Sequence, residues 1–201
     1  MSDYPVIADV GNTLKKLLWE NIKNDAKVNK IIEAEANITL ESPAEMQTDS
    51  NKKLSLYLYR IVENQFLKNQ EIPNNDPKKI ESNPLAIDLF YLITPATNLR
   101  EQDHILLGKV MQVFHDHAVV RGLILTGDTL AGSDVQLRLV FYSLPFEEII
   151  QLWQSFSEKS FHLSVCYQVT PIRIDSTREI EAKRVKEKRD EYYQESVKKV
   201  K

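Results

Sequence analysis

The stretch from Leu85 to Pro95 most constrains what this chain can fold into. Its odd-numbered residues, Leu85 to Ile93, are all large and apolar, whereas its even-numbered residues are mixed. Strict alternation predicts a β-strand with one face in a core, and the second face is apolar enough for a position inside a sheet. Proline has no amide hydrogen to extend a strand, so we expect Pro95 to end it. The pattern predicts a central strand.

Further alternating stretches predict the strands that pair with this one. The long candidates are Leu54–Glu63, Val135–Tyr142 and His162–Val169, and the short ones are Ile38–Leu40 and Val119–Leu125. We expect the last long strand to end at Thr170 and Pro171, because proline interrupts a ladder of hydrogen bonds. One face of the first long candidate carries Tyr57 and Tyr59 instead of charges, so that face is also expected to be covered.

Three stretches have apolar residues at three-and-four spacing, which indicates amphipathic helices. They follow Pro5, begin at about Asn98, and follow Pro145. A proline suits a first turn because no amide donor is needed there. Asn98, with Glu101 three residues later, is predicted to cap the second helix, which should run to about His117. The chain is therefore predicted to be an α+β domain over residues 1–175, with a mixed, largely antiparallel sheet of about four to five strands covered by helices.

Two long segments are poor in core residues. The connection from Asn64 to Pro84 is long for a compact domain, and such loops are often used against a partner. Ser176 and Glu179 have the spacing of a capping box, and the run that follows to Lys201 favours a helix. Its apolar residues are too few for a covered face. We predict that residues 176–201 form a charged helical extension that meets another subunit.

Charge argues against nucleic-acid binding. The 201 residues carry a net charge of −3, and residues 176–201 contain nine Lys or Arg and six acids. The remaining residues therefore have a net charge of −6. Neutralising phosphates requires a basic face, so an acidic domain with a mixed tail is not expected to bind DNA or RNA.

The sequence favours a protein made in the cytoplasm without insertion into a membrane. Met1–Ile7 has no basic cluster followed by an apolar run, and no apolar stretch approaches the roughly 20 residues that span a bilayer. Cys166, the single cysteine, lies within a strand pattern. We expect it to be a small buried core residue in a reducing compartment.

Residues that bear reactive groups do not form a recognisable catalytic motif. His115, Asp116 and His117 are adjacent, but two helical residues at that spacing point about 200° apart and cannot share a metal, so a helix end is expected. Gly127-Asp128-Thr129 lacks the lysine and glycine spacing of a phosphate-binding loop and predicts a turn. Asp88 has no partner acid, so we expect it to be paired within the sheet. No catalytic residue, metal or cofactor is predicted.

Several segments, in order, carry a resemblance to a known family. They are Val6–Val10, Thr13–Leu18, Leu54–Asn64, Pro84–Pro95, Asp103–His117, Pro145–Trp153 and Leu163–Pro171. Together they resemble the amino-terminal domain of the cap, or tail-terminator, proteins of phage-tail-like contractile injection systems. The resemblance covers residues 6–175.

The resemblance implies a structural role and no catalysis. Proteins of this kind form a six-fold ring at the end of the inner tube that is distal from the baseplate, where they stop growth of tube and sheath. The implied partners are further copies of the chain, the tube protein and the sheath protein. The implied location is an assembled particle that is released or anchored to a membrane.

The sequence also suggests which residues make these contacts. They are Tyr57, Tyr59, Arg60, Lys78, Lys79, Arg178, Lys183, Arg184, Lys188, Arg189, Tyr192 and Tyr193. Two other functions stay open at this point. One is a small hydrolase with a site near Asp88 or near His115 and His117, and the other is a monomeric adaptor that binds another protein.

Overall fold

A computed structural model describes residues 3–46, 49, 51–68, 79–81, 83–156, 161–177 and 179–181. The helices in these residues are α1 (Val6–Ile22), α2 (Pro43–Met46), α3 (Arg100–Asp116) and α4 (Phe146–Gln154). The strands are β1 (Ile38–Thr39), β2 (Leu54–Glu63), β3 (Lys79–Glu81), β4 (Leu85–Pro95), β5 (Val119–Val120), β6 (Leu137–Tyr142), β7 (Val165–Ile174) and β8 (Glu179–Glu181).

Six of these strands form one mixed sheet in the order β1-β2-β4-β7-β6-β5. The strand β1 runs parallel to β2, and the other neighbours are antiparallel. The strand β4 spans the predicted eleven residues and lies between β2 and β7, so the prediction of a central strand is confirmed. The α+β class is confirmed too, although the sheet has six strands instead of the predicted four to five.

The first face of the sheet carries the main core. Ile87, Leu89, Tyr91 and Ile93 of β4 pack there with apolar residues of α1 and α3. Buried residues of α1 recur at three-and-four spacing, as the sequence predicted. Phe114 of α3 is buried and meets Tyr167 of β7 edge to face, at 4.9 Å between ring centroids. Burial of these large side chains supplies most of the stabilisation of the fold.

The second face is covered at one end by α4. Leu92 of β4 and Cys166 of β7 are buried there against Trp153 and Phe156. Tyr57 of β2 meets Phe156 edge to face, at 5.7 Å between ring centroids. The expected covering of the aromatic face is therefore confirmed. Past α4 this face opens, and its exposed side chains there include Arg60, Arg138 and Val140.

A hydrogen-bonded clamp ties α1 to the turn at residues 126–129. The buried carboxylate of Asp9 accepts hydrogen bonds from the backbone amide of Thr129 at 2.8 Å and from its hydroxyl at 2.6 Å. One helical turn later, the hydroxyl of Thr13 accepts from the amide of Thr126 at 3.1 Å. Gly127 lies between them with φ +95°. The region that the sequence predicted as a turn thus closes over the start of α1.

The start of α3 differs from the prediction. The helix begins at Arg100, and Leu99, not Asn98, is in the capping position without a side-chain cap. Buried Asp103 instead accepts hydrogen bonds from the amide and the hydroxyl of Thr97, at 2.9 and 2.7 Å. The predicted capping by Asn98 and Glu101 is wrong. The carboxylate of Asp103, within the helix, instead binds Thr97 in the loop that precedes it.

The strand β7 continues beyond the predicted stop at Thr170-Pro171, as far as Ile174. Pro171 lies at a register shift opposite Asp88, between the pairs Ile87 with Ile172 and Leu89 with Val169. A bulge tolerates proline because no ladder hydrogen bond is required there.

The beginning of the predicted charged helix is also corrected. Residues Glu179–Glu181 form the strand β8 and pair with β3, antiparallel, in a second sheet of two strands. The long connection from Asn64 to Pro84 therefore contains a strand. Residues 182–201 lie outside the described part of the chain, so the rest of the predicted extension stays a prediction.

Candidate functional site

Asp88 lies on the open part of the second face of the sheet. Its Oδ1 accepts from the Nδ2 of Asn64 at 2.9 Å and from the hydroxyl of Thr170, and its Oδ2 accepts from the Nε2 of Gln168 at 3.0 Å. Both oxygens are thus used in bonds within the fold. The prediction that Asp88 is paired within the sheet is confirmed. The arrangement ties β4 to β7 and to the end of β2.

His115 and His117 lie at the end of α3, on the other side of the sheet from Asp88. His115 and Asp116 are exposed, and the Nδ1–H of His117 donates to the carbonyl oxygen of Val113 at 3.0 Å. The prediction of a helix end is confirmed. Among the described residues no group of three His, Cys, Asp or Glu side chains is placed to hold a metal ion. The two candidate hydrolase sites do not converge.

Cys166 is buried beneath α4, beside the hydroxyl of Tyr59. Burial raises the pKa of its thiol to about 11 and also raises the pKa of Tyr59. The hydroxyl of Tyr59 makes no hydrogen bond of normal geometry within the described residues. A thiol is nucleophilic only as the thiolate, so this environment suits a packed core residue and not a reactive cysteine.

We expect Cys166 to resist alkylation in the folded protein. Iodoacetamide should modify it on the order of a hundredfold more slowly than an exposed thiol, because the thiol is buried and its thiolate disfavoured. The reference is a Leu123→Cys variant, since Leu123 is 99% exposed. Equal rates of alkylation for the two thiols, measured by mass spectrometry, would show that β7 opens readily.

The raised pKa of Cys166 also implies a contribution to the free energy of unfolding. This contribution is present below pH about 9 and is lost as the pH rises towards 11.

The predicted contact residues fall into two groups. Tyr57 and Tyr59 are half-buried under α4, whereas Arg60 is exposed with its guanidinium 5.6 Å from the ring centroid of Phe90. The structure thus places the two tyrosines in packing and leaves Arg60 accessible. Lys79 lies on β3, where only the backbone is described. The remaining predicted contacts lie outside the described residues; they are Lys78, Arg178, Lys183, Arg184, Lys188, Arg189, Tyr192 and Tyr193.

The two outer long strands of the sheet have open edges. The strand β1 pairs only with Leu54 and Ser55 of β2, and β5 pairs only with Leu137 and Arg138 of β6. No described strand pairs with the outer edge of β2 from Leu56 to Glu63 or of β6 beyond Leu139. An open edge presents unpaired backbone donors and acceptors, which is how one chain adds to the sheet of another.

An exposed aromatic cluster lies at the start of α4. The rings of Phe146 and Phe161 are 67% and 42% exposed, and their centroids are 6.4 Å apart. Beneath them His162 stacks on Trp153 at 5.8 Å. Burial, then the guanidinium of Arg100, lowers the pKa of His162. The sequence analysis placed Phe146 and Trp153 in a helix and His162 in a strand, and no local pattern shows that the exposed rings meet.

A groove of about 540 Å³ opens at the opposite end of the sheet, where β6 and β7 separate. Its walls include Val6 at the start of α1, the segment Ser133–Leu137 and the segment Pro171–Arg173. The lining is mixed, with apolar side chains beside carboxylates and an arginine. Two other depressions lie near residues 30–53 and near Glu41 and Lys52. None of the three brings together the residues of a reaction.

No described helix is both long and apolar enough to cross a membrane. The candidate site consists of several surfaces: two strand edges, an aromatic cluster and a groove.

Comparison with known proteins agrees with this description. Residues 9–187 match the family described as Pvc16 N-terminal domain. No curated protein matches the sequence significantly.

Two solved structures share the fold. One is the sheath/tube terminator, in the extended state, of the extracellular contractile injection system PVC, with a TM-score of 0.63 and 18% identity over 98% of this chain. The other is the tube-terminating cap of the anti-feeding prophage, with a TM-score of 0.59 and 18% identity over 92% of this chain. This chain spans 66% and 61% of the two matched chains.

Proposed function

Because the chain belongs to the Pvc16 N-terminal domain family, we propose that it is a structural cap of a contractile injection system. It ends the inner tube and the sheath at the end distal from the baseplate. The observation that carries this proposal is the family match over residues 9–187. The likeness in fold to a tube terminator and to a tube-terminating cap supports it.

Termination of a polymer follows from shape. A tube grows by heterologous contacts between stacked rings, in which one surface of a ring meets a different surface of the next. A terminator offers the surface that the last ring accepts and presents no new surface for further growth. Such a protein requires a rigid sheet and accessible edges. The described residues provide both.

The proposed partners are other copies of the chain, the tube protein and the sheath protein. We propose a hexameric ring, with the outer edge of β2 and the exposed Arg60 among its contacts. Residues 176–201 are proposed to orient the ring through their charges. Exposed ion pairs contribute about 0.2–1 kcal/mol each, so these charges act mainly on orientation and association rate. The assembled location is proposed to be a contractile particle.

We propose no catalytic function. The carboxylate of Asp88 binds three side chains of the fold, and His117 binds the backbone of its own helix. Asp88 and His117 therefore have structural uses. No observation favours the monomeric adaptor over the cap.

The decisive experiment measures tube length. Tube and sheath proteins of the same particle are produced with and without this protein, and the particles are imaged by electron microscopy. We expect tubes of uniform length with it, and tubes of broadly distributed length or without sheath when it is omitted. A Lys30→Ala variant, altered at an exposed residue outside the proposed contacts, is the control and should restore uniform length. Unchanged particles in its absence would refute the cap.

A further inference from the structure

The open edges of β2 and β6 lie on opposite sides of the same sheet. They suggest how a ring of this chain is closed. We infer that the outer edge of β2 in one copy pairs, antiparallel, with the outer edge of β6 in the next. This inference rests on the proposed function and specifies the partner of these edges, a second copy of the chain.

Backbone geometry shows that both edges present hydrogen-bonding groups with which no described strand pairs. On β2, the amide of Asn64 donates to the carbonyl of Ala86 on β4, at 2.8 Å. Backbone direction alternates along a strand, so the amides of Ile61 and Glu63 point away from β4. On β6, the amide of Leu139 donates to Ala118, beside β5, at 2.9 Å. The amide of Phe141 points to that same side, where no described strand pairs with it.

The directions of the strands fit such a contact. The strands β2, β4, β7 and β6 are each antiparallel to the next, so β6 runs opposite to β2. A copy placed beside another by rotation about an axis along the strands therefore brings β6 antiparallel to β2. The contact joins two different surfaces, so repetition closes a ring when the rotation is a whole fraction of a turn.

The side chains on the two edges are complementary. Ile61 pairs with Leu89, and Phe141 with Tyr167, so both lie on the first face of the sheet. They are 48% and 51% exposed. Natural edges are usually protected by charges, whereas these apolar side chains lie in water until something covers them. Side by side on the same face, they form a cross-strand apolar pair.

A bulge makes this arrangement possible. The register between β2 and β4 shifts between Leu58 and Arg60, which leaves Tyr59 as the extra residue. Without that shift, Ile61 would lie on the face with the tyrosines instead of on the face with Leu89. The bulge therefore moves an apolar side chain to the face on which Phe141 lies.

Covalent trapping tests the inference. The variant with Ile61→Cys and Phe141→Cys is treated with a bismaleimide, in purified protein at high concentration and after addition of tubes. We expect a ladder of covalent multimers. Within one chain β2 and β6 are three strand spacings apart, about 14 Å, so a shorter reagent joins only neighbouring copies. Cys166 is buried and should not react.

Single variants and a control pair test whether crosslinking is specific to the two edges. Ile61→Cys alone or Phe141→Cys alone should form no covalent multimers, because a heterologous contact brings two different positions together. Covalent dimers from a single variant would indicate a symmetric contact and overturn the inference. The control pair is Ile105→Cys with Leu123→Cys, two exposed positions that lie on neither β2 nor β6. A ladder from this pair equal to that from the edge pair would also overturn it.

A further substitution tests pairing between edge strands without disturbing the fold. Glu63→Pro, added to the edge pair, removes an amide that points away from β4, so the melting temperature should change little while the ladder is lost. A persistent ladder would contradict strand pairing. Absence of a ladder from the edge pair, both in purified protein and with tubes, would overturn the inference. Because tube length is measured separately, that result leaves the cap proposal standing.

Discussion

Replacing Gly127 with alanine is expected to destabilise the protein by about 3 kcal/mol or more, through a clash added to backbone strain. Gly127 has φ +95°, a conformation that residues with a side chain rarely adopt. A Cβ atom there would lie 2.0 Å from Oδ1 of Asp9. Asp9 would have to release Thr129. Thermal unfolding should show a fall in melting temperature of roughly 6–12 °C for a chain of this size.

A second glycine provides the control for this prediction. Gly132 has φ +74°, and a Cβ atom there would meet nothing within 4 Å. Gly132→Ala should therefore cost only backbone strain, about 1 kcal/mol. Asp9→Ala removes the clashing carboxylate, so Gly127→Ala should cost less in that background than in the natural sequence. Equal losses for the two glycine variants would show that contact with Asp9 does not determine the effect.

The elements that were predicted correctly are those that a period in the sequence determines. The odd residues Ile87, Leu89, Tyr91 and Ile93 are buried together as the alternation predicted, whereas Leu85 at the start of the strand is 48% exposed. The helix α1 likewise followed from its apolar spacing. The class of fold was therefore accessible from the sequence.

The features that were missed depend on atoms distant in the sequence. The bulge at Tyr59 reverses the side-chain alternation of β2, and no residue type there signals it. Pro171 lies within a strand because the register shift opposite Asp88 removes the need for its amide. Asp103 stabilises the loop before α3 through Thr97, six residues away, which a three-residue capping pattern does not detect.

The open edges were also hidden from the sequence. Both β1 and β5 have only two residues, so they cover one end of β2 and of β6 and leave the rest free. Pattern reasoning predicts that strands exist, but not which strand lies at an edge or how far its neighbour extends. The exposed apolar side chains of Ile61 and Phe141 look like ordinary strand residues until the topology is known.

Substitution of Asp88 is expected to distinguish a structural carboxylate from a catalytic one. Asp88→Leu should cost about 2–3 kcal/mol, because the donors on Asn64, Gln168 and Thr170 lose their acceptor. The measurement is denaturant unfolding of the purified variants. Asp128→Leu, a change at an exposed acid on a turn, is the matched control and should cost little.

Asp88→Asn should be far milder than Asp88→Leu, at about 1 kcal/mol or less. The side-chain oxygen of the new asparagine can still accept from Asn64 and Thr170, while its amide group donates to Gln168 once that side chain flips. Asn64 cannot flip as easily, because its own oxygen accepts from the amides of Phe66 and Leu67 at 3.1 Å. A hydrolase that used this carboxylate would lose its activity in the asparagine variant, whereas a cap should still control tube length with it. Loss of length control in a variant that folds normally would show that the negative charge itself is required.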